Sequence, residues 1–107
     1  MKEIRIFKTI SGKEPFEDWL VNIKDKTIKA RIRRRIDRLM LGHEGDSKSV
    51  SKGVYELRLM FGSGYRIYYG KLGDLIIVLL LGGDKSTQED DIKKAQAYWK
   101  ESQENRL

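Results

Sequence analysis

The chain has 107 residues, a formal charge of +6 and no cysteine. That length suits one modest core rather than two, and a chain without cysteine can use neither disulfides nor thiol chemistry. The N-terminus lacks a signal-peptide core and the apolar run Leu75–Leu81 is far too short to span a bilayer, so the expectation is one cytoplasmic domain over 1–107 with no membrane partner.

In chain order, residues 3–10 alternate as a strand, with Ile4 and Ile6 on one face. Ser11 and Glu14 have the spacing of a capping box and Pro15 suits a first helical turn. Phe16, Trp19, Leu20 and Ile23 then follow at helical spacing. A second helix from about Thr27 to Leu41 aligns Ile28, Ile32, Ile36, Leu39 and Met40 in one stripe and stops at Gly42. Its other faces carry most of a basic block. Between Lys24 and Arg38 there are eight basic residues against Asp25 and Asp37, and the rest of the chain holds fourteen of each sign. The whole net charge therefore sits in this block, which reads either as a solvated helix face or as a surface for a polyanion or acidic partner.

Residues 43–52 read as a polar loop. From Gly53 the period becomes two, with Tyr55, Leu57, Leu59 and Phe61 on one face and Val54, Glu56, Arg58 and Met60 on the other. Gly62–Gly64 is read as a three-residue turn, followed by a returning strand over Tyr65–Tyr69. That register opposes Leu59 with Ile67 and Arg58 with Tyr68, leaving Arg58 and Arg66 as diagonal neighbours on one face. Two arginines side by side need an anion between them: Glu56, or a phosphate held by their guanidinium forks. Tyr68 shares that face, where it either covers the sheet or stacks on a base. Leu75–Leu81 reads as a strand covered on both sides. Ser86 and Glu89 have capping-box spacing for a last helix over about Thr87–Gln103, so Lys85 leaves the sheet near Arg66. Gly82 and Gly83 permit close backbone approach there. The expected fold is α+β, in the order β-α-α-β-β-β-α, with an antiparallel meander sheet packed by helices.

Three stretches together resemble a known group: Gly53-Val-Tyr-Glu-Leu-Arg58, Gly64-Tyr-Arg-Ile-Tyr-Tyr69, and Leu80-Leu-Gly-Gly-Asp-Lys-Ser-Thr-Gln88 continuing to Ile92 and Ala95. In this order they resemble the addiction-module killer branch of the RelE/ParE toxin superfamily, close to HigB-type toxins, over almost the entire chain. The resemblance implies a RelE-like fold and the toxin of a type II toxin–antitoxin pair. It implies a metal-independent, cofactor-free, ribosome-dependent endoribonuclease that cuts messenger RNA and inhibits translation. Its partners would be messenger RNA, the ribosome and a cognate antitoxin of helix-turn-helix type. By this resemblance Arg66 and Lys85 stabilise transition-state charge and Arg58 positions the phosphate or stabilises the leaving group. Where the best-studied relatives carry a catalytic tyrosine, this chain reads Gln88-Glu-Asp-Asp91, so proton transfer falls to Asp91, Glu56 or a tyrosine such as Tyr68. Lys52, Glu56, Tyr68, Arg31, Arg34, Arg35 and Arg38 form the expected RNA-contacting set, the helix arginines serving equally as a dock for the antitoxin. A gyrase poison of the ParE type and a non-catalytic nucleic-acid-binding module are the alternatives.

Overall fold

The computed structural model describes residues 1–105. Strand β1 (Glu3–Ile6) leads through helices α1 (Pro15–Val21) and α2 (Lys26–Met40) into β2 (Ser47–Ser49), β3 (Val54–Arg58), β4 (Arg66–Leu72) and β5 (Ile76–Gly83). A 3-10 turn over Lys85–Thr87 then opens helix α3 (Gln88–Glu104). The five strands form one sheet in the order β1-β5-β4-β3-β2. The α+β class stands, while the expected order and sheet type take two corrections. The stretch read as polar loop contains the short edge strand β2, which pairs with β3 (Ser47 opposite Leu57). The sheet is mixed rather than wholly antiparallel, because β1 runs parallel to β5 (Glu3 opposite Ile76).

Helices cover both faces of the sheet. Phe16, Leu20, Ile32 and Leu39 from α1 and α2 pack on Leu57, Ile67, Tyr69 and Leu79. On the other face Ala95 and Trp99 of α3 pack on Val54, Tyr68, Val78 and Leu80. β5 feeds alternate side chains into both layers, which is why Leu75–Leu81 carries no polar residue. A bulge at Leu80 puts one extra residue opposite the step from Tyr68 to Tyr69.

Local chemistry explains the helix boundaries. The Asp25 carboxylate accepts from the Thr27 and Ile28 amides and starts α2, and Gly42 at φ +91° ends it. Neither expected capping box forms. At α1 no side chain bonds the open amides; Thr9 Oγ1 instead accepts from the Lys13 amide in the preceding turn. At the start of α3 Asp84 takes the capping role, accepting from the Ser86 amide and hydroxyl.

The hairpin register also differs from the expected one. Arg58 stands directly opposite Arg66 and Leu57 opposite Ile67, and the Leu59 amide donates to the Tyr65 carbonyl at 2.9 Å. The loop therefore has five residues, 60–64, with Gly62 and Gly64 both at positive φ. The shift is two residues, so every side chain keeps its expected face.

Trp99 seats flat on the backbone of Gly70, where any Cβ would overlap its ring. Gly70→Ala is expected to destabilise the domain by about 1–3 kcal/mol through forced repacking. A urea unfolding midpoint unchanged from wild type would show that the ring is seated elsewhere.

Candidate functional site

One end of the sheet gathers the charged residues. Across neighbouring strands lie Asp46, Arg58, Arg66 and Gly83: the Arg58 amide bonds the Asp46 carbonyl, Arg58 pairs with Arg66, and Arg66 pairs with Gly83. Lys85 follows two residues later. A Cβ built on Gly64 would lie 3.4 Å from Lys85 Cβ and 3.5 Å from Arg66 Nη1, so hairpin loop, strand and 3-10 turn meet at one corner. Ser63 contributes there too: the hydroxyls of Ser86 first, and of Ser63 to a lesser degree, help hold the Asp84 carboxyl below its usual range.

The two arginines differ in environment. Arg58 is exposed and forks onto Asp46, Nε to Oδ2 at 3.0 Å and Nη2 to Oδ1 at 3.3 Å. Arg66 is only 8% exposed; its Nη1 donates to the Gly64 carbonyl at 2.8 Å. Its Nε lies 3.6 Å from Glu56 Oε2 with no hydrogen bond of its own.

Glu56 is fully buried. Oε2 accepts from the Tyr68 hydroxyl at 3.1 Å and from Gln88 Nε2 at 2.9 Å, while Oε1 has no hydrogen-bond partner and sees Lys48 Nζ at 4.0 Å. A buried carboxylate needs this company. Charge rather than a directed hydrogen bond ties Arg66 to it, and the Gly64 carbonyl holds the other end of the guanidinium.

Tyr68 is also fully buried, so the expected base-stacking role is corrected: α3 covers the face it shares with the arginines. The same burial removes Glu56 from direct contact with RNA. Asp91 is 7% exposed, and its carboxylate accepts from Thr87 Oγ1 at 2.5 Å within the first turn of α3. Gly83 is glycine because a Cβ there would overlap that carboxylate, and Gly82 because Trp19 lies against it.

The remaining expected contacts separate into two places. Arg31, Arg34, Arg35 and Arg38 line a hollow of about 160 Å³ with Phe61, and the Arg31 guanidinium sits 4.0 Å above the Phe61 ring. Burial first and then the Arg38 charge lower the Arg35 pKa, the mark of crowded cations. Phe61 belongs to the hairpin loop, so this patch adjoins the Gly64 corner. Lys52 does not: it precedes β3, which ends in Arg58, and stands at the other end of the sheet. Sequence reasoning missed Asp46 and Gln88, the groups that hold Arg58 and Glu56; only the pairing of β2 and the start of α3 reveal them.

No protein-family model matches the chain. An uncharacterised protein of Haemophilus influenzae is 48% identical to it over 81 residues, covering 76% of this chain and 82% of that protein. The two belong to one family. Among the described residues no helix is long and apolar enough to cross a membrane.

Burial raises the pKa of both Tyr68 and Tyr69, with Glu56 adding to the effect at Tyr68 and Glu44 at Tyr69. A folded pKa above the unfolded value of 10.0 contributes stability that is complete below pH 10 and is lost as pH rises above it. The protein should therefore unfold in alkali, and tyrosinate absorbance should show these two ionising only together with loss of circular dichroism. A titration in which all five tyrosines ionise near pH 10 in a still-folded protein would contradict this burial.

Proposed function

We propose that the chain is the toxin of a type II toxin–antitoxin pair and acts as an endoribonuclease on messenger RNA. The observation that carries this reading is the cross-strand row: Arg58 directly opposite Arg66, with Lys85 leaving the adjacent strand at the same corner. Like charges directly opposite each other repel, and an anion lying between them would relieve that repulsion. The resemblance of the three stretches carrying these residues to HigB-like members of the RelE/ParE superfamily supports the same reading, as does a strand and helix order compatible with a RelE-like fold.

In this reading an RNA phosphodiester lodges against the row. The 2′-hydroxyl attacks the neighbouring phosphorus, the new O2′–P bond forms as the P–O5′ bond breaks, and the products are a 2′,3′-cyclic phosphate and a free 5′-hydroxyl. Arg66 and Lys85 stabilise the charge on the non-bridging oxygens, and Arg58, released from Asp46, holds the phosphate or the departing oxygen. Glu56 is a positioning residue: it is covered completely and acts by orienting Arg66. Asp91, engaged by Thr87, is the less covered of the two carboxylates and the nearer to solvent for receiving the proton. The arginines beside Phe61 extend positive charge from this corner along the RNA or its ribosomal surroundings.

Arg66→Gln should lower the cleavage rate by about 10²–10³-fold, the usual effect of losing one preorganised donor to an oxyanion. Primer extension on messages from cells expressing the protein should show discrete new 5′ ends with wild type and none with the variant. DNA breaks without new RNA ends would instead assign a ParE-like gyrase poison. Asp46→Ala frees Arg58 and should tighten RNA binding by about two- to fivefold, the scale of an exposed ion pair; unchanged affinity would remove Arg58 from the RNA contact.

A further inference from the structure

At the end of the sheet away from the arginine row lies a groove of about 840 Å³ between the turn before β3 and the outer flank of α3. Lys52, Lys93, Gln96, Ala97, Trp99 and Lys100 contribute to its lining. The turn holds Ser51 and Lys52 at φ +77° and +56°, and Gln96 Nε2 braces it by donating to the Val50 carbonyl at 2.8 Å. Lys52 and Lys93 have no acidic partner among the described residues, and Lys100 sees Glu104 only at 4.0 Å with both side chains largely exposed. Glu104 lines the groove too, so its rim sets three lysines against one carboxylate and is net cationic.

Its floor carries one further unfilled group. Trp99 is 9% exposed, its ring held against the backbones of Gly70 and Gly53. The indole N–H has no acceptor among the described residues, yet it is not among the polar atoms sealed from solvent. What the ring offers to the groove is an edge with a free donor. Ala97 and the lysine stems supply apolar surface beside it.

We propose that this groove is a docking site for an acidic, amphipathic segment of a partner protein. Carboxylates of the segment meet Lys52, Lys93 and Lys100, one of its acceptors takes the Trp99 N–H, and an apolar side chain lies over Ala97. A polynucleotide fits less well. Single strands are held by open aromatic faces and by guanidinium forks, and this groove has neither: the Trp99 faces are packed, and its bases are all lysines. β3 separates the groove from Arg58 by roughly 15 Å at strand rise, so a segment docked here leaves the arginine row open. The inference stands apart from the ribonuclease reading and would survive its failure.

The two tryptophans, Trp19 and Trp99, provide separate indole resonances. Full-length ¹⁵N-labelled protein should be titrated at low salt with a synthetic helical peptide of glutamate and leucine. The Trp99 indole signal should move while that of Trp19 stays, and Lys52→Glu combined with Lys93→Glu should weaken binding about tenfold with an unchanged melting temperature. An unmoved Trp99 signal, or charge reversal without effect, would overturn the proposal. So would an RNA oligomer that shifts Trp99 as strongly and displaces the peptide, or a Trp99 signal that changes on dilution of the protein alone, which would make the occupant a second copy.

Discussion

Glu56 is the group on which this end of the molecule depends. It is fully buried in the middle of β3, where an unpaired carboxylate would cost several kcal/mol. Three side chains answer it: Tyr68 and Arg66 from β4, and Gln88 from the first turn of α3. One carboxylate thus fixes how α3 approaches the sheet and where the Arg66 guanidinium rests. The cost of burying it is met by groups that also define the candidate site, so folding and site geometry are coupled here.

The same coupling gives the two arginines different duties. Arg66 is held from beneath by a charge that cannot leave, and its position survives the arrival of an anion. Arg58 is held from the side by Asp46, just before the short edge strand β2, in a contact that solvent can replace. In the proposed reading an arriving phosphate would meet one fixed cation and one that must first change partners.

Much of this was legible in the residues, and what was not has definite causes. Alternation assigned the side chains of β3, and of β4 as far as Tyr69, to their faces, yet it could not choose between hairpin registers two residues apart, because both keep the same faces. Phe61 and Tyr65, expected as ladder partners, still touch through their rings (centroids 6.1 Å apart) from within the loop. Ser47–Ser49 has no strand propensity and pairs only because β3 offers a free edge. The burial of Tyr68 was hidden for another reason: a period of two says which residues share a face, not whether a helix will cover it. The convergence of Lys85 with Arg66 was visible from the Gly-Gly connection, whereas Asp46 and Gln88 depend on contacts between distant segments.

The bulge at Leu80 sets which layer the end of β5 faces. Before it, β5 residues pair with β4 in one phase; after it, they are advanced by one position. That single extra residue turns Gly82 toward Trp19 and Gly83 toward Asp91, each the one side chain small enough for its neighbour. Keeping Leu80 but straightening the strand into a regular ladder would transpose them, driving the exit of the strand onto the opposite layer and carrying the lysine with it. The frame in which the last strand is counted therefore decides on which side of the sheet the chain leaves it.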